Sequence, residues 1–385
     1  MGRFLRLVAW GEAGAGWEAE LLAALGEVRL HALEQCVRGG RSFFSAAWEE
    51  AGVEAEVARA AARLGLSHAL EEVAAPPGAA PGWELLAIGR PLPPASIAAL
   101  LERLGDRGAR PVRMERSAAR GGLDLVRLRV EGSDERIRDL RPALLEQAAL
   151  HGIDLGLQRA DVHRHHRRLV VMDMDSTLVT IEVIDELARA CGQYAKVAEI
   201  TERAMRGELD FEQSLRARVA LLAGQPAEIL DRIAANLPFA PGAERFVAAL
   251  RRLGIRTAVL SGGFVPAVEA ARRSLGLDYA FANRLRVREG RFTGELEGPI
   301  VDAHRKAELL EWIAAREGLR LDQVVAIGDG ANDRLMLQRA GLGVAFRAKP
   351  ALRPFADACL GLGGLDSVLY LLGLSDEEID ALLEE

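Results

Sequence analysis

The chain has 385 residues, two to three times the usual domain length, with half of its residues apolar, about a quarter charged and a formal net charge of −7. That balance excludes a long disordered or fibrous chain and argues against a general binder of nucleic acid or anionic membrane. No run approaches the roughly 18 apolar residues of a membrane span, and MGRFLRLVAWGE lacks the apolar core of a signal peptide, so a cytoplasmic protein is expected.

Cys36, Cys191 and Cys359 are odd in number, widely spaced and outside any C-x-x-C pattern. This points to buried, reduced thiols rather than disulfides or a zinc site. All but three of the 49 basic side chains are arginines, the exceptions being Lys196, Lys306 and Lys349.

In chain order, periodicity predicts a strand over 3–10, a loop at GEAGAG (11–16), a helix over 17–26, strands over 27–37 and 42–48, a helix over 55–66 and a closing strand near 68–74. A Pro/Gly/Ala run, AAPPGAAPG at 74–82, reads as a linker. The same order then recurs: strand 84–88, helix 95–105, strands near 110–117 and 123–130, helix 134–151, strand 153–159. Two α+β units, 1–76 and 83–160, are therefore expected, and their order resembles tandem ACT-like domains of the ferredoxin-like class. The resemblance implies amino-acid binding, near GEAGAG or at an interface between modules, and a homodimer. In ADVHRHHRR (160–168), His163, His165 and His166 stand among arginines with no acidic or Cys partner beside them, which favours a solvated basic connector over a metal site.

From 169 the pattern becomes α/β. LVVMD (169–173), RTAVLS (256–261), QVVAIGD (323–329) and GVAF (343–346) are short strands apolar on both faces, the mark of a parallel sheet covered by helices. Ligands bind such sheets beyond the carboxyl ends of the strands, where each polar signature falls. VVMDMDSTLV places Asp173 and Asp175 on one side of a strand end. Their mutual repulsion is relieved by a hard divalent cation such as Mg²⁺, although an isolated D-x-D is more often a cap or turn. AVLSGGF lets Ser261 and the Gly262 amide approach an anion at a helix start. VAIGDGANDRLML adds Asp329 and Asp333 in a tight loop. Lys306 precedes that loop by some 20 residues, and its compact ammonium suits a phosphate flanked by a carboxylate, with Lys349 as the competing choice.

In series, D-x-D-S-T, S-G-G, K and G-D-G-x-N-D resemble the haloacid dehalogenase (HAD) superfamily over 168–372, with 373–385 a tail or helix. The resemblance implies a Rossmann-like parallel sheet with a helical cap inserted after the first strand, at about 182–238, and chemistry through an aspartyl-phosphate. Asp173 is then the nucleophile and Asp175 the general acid and base. Asp173, the Asp175 carbonyl and Asp329 hold Mg²⁺, with Asp333 orienting the metal shell, while Ser261, Gly262 and Lys306 grip the phosphoryl group.

The stretches DMDSTLVTIEVIDELA, FEQSLRARVALL, SGGF, FANRL and GDGAND narrow the likeness to the phosphoserine phosphatase family, the enzymes of the last step of serine biosynthesis. Carried over residue by residue, Glu182 meets the substrate ammonium, Arg218 its carboxylate, Met205 and Phe211 form an apolar wall, and Asn332 lies near the phosphate. By themselves Glu182 and Arg218 read as helix-surface charges. The alternatives are a HAD phosphatase or phosphotransferase acting on another small phosphorylated metabolite, and a protein that is chiefly an amino-acid sensor.

Overall fold

The computed structural model describes residues 4–12, 30–38, 41–49, 54–73, 82–106, 108–160 and 166–384. The helix expected over 17–26, most of GEAGAG, most of the 74–82 linker, and His163 and His165 lie outside the described residues. The chain divides into two compact units, Met1–Ala80 and Pro81–Glu385.

In the first unit, β1 (Phe4–Glu12), β2 (Leu30–Arg38), β3 (Arg41–Glu49) and β4 (Ser67–Val73) form an antiparallel sheet in the order β2-β3-β1-β4, with α1 (Glu54–Arg63) leading into β4. Strand β1 extends two residues further than its apolar run suggests, pairing through Gly11 and Glu12 with Ser42 and Arg41.

In the second unit, β5 (Trp83–Gly89), α2 (Pro94–Gly105), β6 (Arg110–Ala119), β7 (Leu123–Glu131), α3 (Asp134–Leu150) and β8 (Asp154–Arg159) repeat that strand order, so that β8, β5, β7 and β6 adjoin in turn. Among the described residues, 4–73 and 83–159 thus share one strand order. Every residue of β5 is buried. Leu85 and Ala87 pack under α2 and α3, whereas Leu86 and Ile88 join the core of the following α/β region. The reason is continuity: β8 pairs antiparallel with β15 (Ala358–Leu360), Ala358 opposite Gly156 and Cys359 opposite Leu155, which merges everything into one eleven-stranded sheet.

That sheet continues through β14 (Leu342–Phe346), β13 (Val324–Gly328), β9 (Leu169–Met172), β10 (Arg256–Phe264) and β11 (Tyr279–Arg288), all parallel. It ends at β12 (Arg291–Glu297), which forms an antiparallel hairpin with β11 that periodicity did not reveal. Strand β9 is wholly buried and central. Alternation sends Val170 and Met172 to one face and Leu169 and Val171 to the other, each into its own apolar cluster.

The first face carries α8 (Ala243–Arg252), α9 (Val265–Leu275) and the helical insertion α4 (Val183–Ala190), α5 (Tyr194–Met205), α6 (Phe211–Ala220) and α7 (Glu228–Ala234). The second carries α10 (Ala303–Arg316) and α11 (Arg334–Arg339). The C-terminal α12 (Val368–Leu371) and α13 (Asp376–Glu384) complete the order.

Two local expectations are corrected. Cys191 and Cys359 are free thiols but only partly buried, because Cys191 ends α4 at the surface and Cys359 sits in a three-residue strand. In the basic connector His166 is exposed, yet Arg167 is buried and its guanidinium donates to the Asp322 carbonyl. Among the described residues no helix is long and apolar enough to cross a membrane.

Candidate active site

Strand β9 lies between β10 and β13, so the residues that follow these three strands converge at one edge of the sheet. The Asp173 amide donates to the Ile327 carbonyl at 2.9 Å, fixing the start of the first acidic loop against the last turn of β13. The Asp173 carboxylate then accepts from the Met174 amide (2.7 Å), and Ser176 turns the chain with φ +57°, a left-handed conformation unusual for a residue other than glycine. Its hydroxyl donates to Glu182 at 2.9 Å.

Asp173, Asp329 and Asp333 each offer a carboxylate oxygen within 4.8 Å of the others, and all three are buried. Burial, reinforced by the Asp173 charge, pushes Asp329 up to about 6 and Asp333 upward as well. A hard divalent cation reverses that penalty, and an all-oxygen donor set is what such a cation takes. Asp333 accepts from the Asp329 and Gly330 amides (3.1 Å each), which locks the loop geometry. Gly328 is needed there, since a Cβ on it would lie 2.4 Å from the Asp333 carboxyl.

Lys306 comes from the first turn of α10 and is 1 % exposed. Its ammonium spans Asp173 (2.7 Å) and Asp333 (2.8 Å). Burial would lower its pKa, but the two carboxylates outweigh that and hold it above the ordinary lysine range. The competing Lys349 is a neighbour too: its mostly exposed ammonium lies 3.5 Å from Asp329.

Asp175 does not join the carboxylate triad. One of its oxygens accepts from the Val183 amide at the start of α4 (2.9 Å), the other from the Ser261 hydroxyl (3.2 Å). Burial foremost, then the charges of Glu182 and Asp173, push it up to about 8. Near neutral pH that shift favours its protonated form.

Ser261 is fully buried, and its oxygen also accepts from the Gly263 amide at 2.8 Å, so the hydroxyl faces Asp175 rather than the open cavity. Gly262 and Gly263 do line the cavity. A Cβ on Gly262 would meet the Phe211 ring at 2.9 Å. Asn283, from FANRL, holds this turn by donating to the Gly262 carbonyl and accepting from the Val301 amide, both at 2.8 Å.

Above the acids opens a cavity of about 720 Å³ between sheet edge and cap. Asp210 caps α6 by accepting from the Gln213 amide, and the Gln213 side chain returns the bond to the Asp210 amide. Helical spacing then puts Phe211, Ser214 and Arg218 on one face toward the cavity, and Val219 in the core. Arg218 is largely buried, which lowers its pKa, with Glu182, Asp185 and Asp175 opposing that shift. Glu182 is raised chiefly by burial. Asn332 also lines the cavity, its amide 3.4 Å from Asp173, while Met205 is 78 % exposed at the rim.

The structure thus brings Asp173, Asp175, Glu182, Phe211, Arg218, Gly262, Asp329 and Asn332 to one cavity, with Lys306, Ser261 and Asp333 behind its wall and Met205 at its mouth. Sequence reasoning overlooked Thr177, whose hydroxyl donates to Asp329 at 3.5 Å, and the anchoring role of Asn283, which the quoted FANRL stretch already contained.

Comparison with known proteins agrees with this geometry. Residues 170–338 match the family model of haloacid dehalogenase-like hydrolases. A phosphoserine phosphatase of Streptomyces coelicolor is 47 % identical over 294 residues, covering 76 % of this chain and 71 % of the relative. The structure of a probable phosphoserine phosphatase from Vibrio cholerae superposes with TM-score 0.58 at 35 % identity, covering 75 % of this chain and 86 % of the other. A substrate-bound phosphoserine phosphatase complex superposes with TM-score 0.51 at 46 % identity, covering 53 % and 97 % respectively. With its acidic triad, bridging lysine and helical cap in place, the chain belongs to the phosphoserine phosphatase family of the haloacid dehalogenase-like hydrolases.

Proposed function

We propose that the protein hydrolyses O-phospho-L-serine to L-serine and phosphate, in the serine-forming step of amino-acid biosynthesis in the cytoplasm. The observation that carries the reading is the pairing of Asp173, 2.7 Å from the Lys306 ammonium, with a buried Asp175 raised to about 8 at the same strand end. One group is poised to attack phosphorus and the other to give up a proton.

In the first half-reaction an Asp173 oxygen forms a bond to phosphorus as the bond to the serine oxygen breaks. Asp175 protonates that departing oxygen, so free serine leaves and an aspartyl-phosphate remains. In the second, ionised Asp175 takes a proton from water, which attacks phosphorus, restores the Asp173 carboxylate and regenerates protonated Asp175. The Gly262 amide, Asn332 and, once its hydroxyl turns from Asp175, Ser261 hold the phosphoryl oxygens, and the Lys306 ammonium adds positive charge from behind Asp173. Mg²⁺ held by Asp173, the Asp175 carbonyl and Asp329, with Asp333 supporting, would supply neutralising charge at the phosphate. The close all-oxygen triad supports that choice of metal.

Substrate selection follows from charge. Glu182 receives the ammonium, the Arg218 guanidinium the carboxylate, and Phe211 and Met205 cover the methylene. Phosphate release from phosphoserine, with and without Mg²⁺, tests the activity. Phosphoethanolamine, which lacks the carboxylate, tests Arg218: equal rates on the two substrates would remove Arg218 from its role.

The division of labour we propose is catalysis in 168–372, with its cap at 182–238, and regulation by ACT-like modules 1–76 and 83–160 that bind an amino-acid effector and pair two chains. The repeated strand order supports this reading. Calorimetry of the full chain with serine and related amino acids tests it.

A further inference from the structure

A second polar cleft lies on the opposite edge of the sheet from the acids. Its walls include Arg167 just before β9, Asp322 just before β13 and Asp357 just before β15, so it sits at the strands' amino ends, whereas Asp173 and Asp329 follow their carboxyl ends. Its other wall is the α3 and β8 surface of the second α+β module. The cleft has a volume of about 800 Å³, within the range of small-molecule sites.

Its charge is opposite to that of the molecule. Arg138, Arg141, Arg159, Arg167 and Arg320 line it, against Asp322 and Asp357. Counting Asp134 as well, which pairs with Arg159, five arginines face three aspartates, an excess of two positive charges in a chain of net charge −7.

The existing pairs use only part of the donor capacity. Arg141 engages Asp357 at 2.5 Å and Arg320 engages Asp322 at 2.8 Å. Among the described residues, the buried Nε atoms of Arg141 and Arg159 have no acceptor and the Gln158 Oε1 atom in the cleft wall has no donor. Arg138 is exposed, and the attraction between it and Asp357 is purely electrostatic. Buried polar groups without partners are uncommon, and guanidinium forks match phosphate oxygens two at a time.

The cleft does not suit a nucleobase. Of its two aromatic residues, Trp83 is 2 % exposed with the guanidinium groups of Arg141 and Arg159 each 5.9 Å from the ring, and Phe355 carries the Arg334 guanidinium at 5.0 Å. What fits is charge in a small volume.

We propose that this cleft binds a compact phosphorylated polyanion, clamping the second module against the α/β core at a site separate from the catalytic one. Inorganic pyrophosphate is the probe, titrated calorimetrically into the full chain in EDTA at low salt, with thermal denaturation in parallel. Arg138 and Arg320 are exposed and touch nothing catalytic, so R138A/R320A keeps phosphoserine turnover within about twofold, which also shows that it folds.

The expected result is pyrophosphate affinity at least tenfold weaker in R138A/R320A, with loss of the rise in melting temperature that pyrophosphate gives the unsubstituted protein. R251A, which removes an arginine from a different surface, is expected to keep both. An absence of binding to the unsubstituted chain overturns the proposal. Equal affinity in the double variant does the same, because it places the binding elsewhere on the chain.

Discussion

Replacing Lys306 with Met tests the electrostatic core of the site. The substitution keeps an unbranched side chain, so little packing is lost, but it deletes an ammonium 2.7 Å from Asp173 and 2.8 Å from Asp333 at a position 1 % exposed. Removing one member of a buried ion pair costs about 3–5 kcal/mol, because the remaining charges stay desolvated and here also repel each other. At about 2 °C per kcal/mol for a large unit, the chelated variant is expected to melt roughly 6–10 °C lower at pH 8.

The deficit depends on pH with a definite sign. Asp333 is already raised above its ordinary value of 3.8, and loss of the ammonium raises it further. An acid whose folded pKa is raised costs stability progressively as pH climbs from the unfolded value through the folded one. Lys306, raised from 10.5, contributes evenly across this window. The deficit is therefore smaller at pH 5 than at pH 8, where the carboxylates must ionise. Thermal melts in EDTA at both values measure it. Equal melting of variant and parent at pH 8 would refute the argument, as would a deficit larger at pH 5.

Further outcomes follow from the same geometry. Asp173→Asn abolishes turnover and acid-stable phosphoenzyme in ³²P labelling while leaving the melting temperature of the Mg²⁺-free protein lowered by no more than a few degrees. Because Asp175 must be protonated to release serine and is raised to about 8 in the free chain, kcat/KM falls as pH rises above about 8, and the Asp175→Asn variant loses that alkaline limb together with most of its activity. Asp329, raised to about 6 by burial in the metal-free chain, weakens Mg²⁺ binding as pH drops below about 6, seen as a rising Mg²⁺ requirement in activity titrations. Gly262→Ala drives a Cβ to within 2.9 Å of Phe211, and is expected to raise KM for phosphoserine several-fold by displacing that ring.

The acids were legible because strand alternation and chain order dictate where they go. Asp173 must leave a buried strand, and Asp329 must leave another that is adjacent to it. The choice between Lys306 and Lys349 was not visible in composition, since both end beside the acids: one bridges Asp173 and Asp333, the other touches Asp329. The facing of Ser261 toward Asp175 was equally hidden, because it depends on a hydrogen bond between residues 86 positions apart. Local patterning gave β8 as a strand closing its own module. It could not reveal the second partner, β15, because edge pairing between strands some 200 residues apart leaves no periodic trace.

That splice has a practical consequence for anyone trimming the chain. Cutting between β8 and β9 to isolate the catalytic half would strip β15 of one of its two neighbours, laying bare a sheet edge and the apolar patch that Leu86 and Ile88 now shield. A fragment starting near 168 should therefore clump or recruit a foreign strand, whereas one starting at 81 carries its own selvedge.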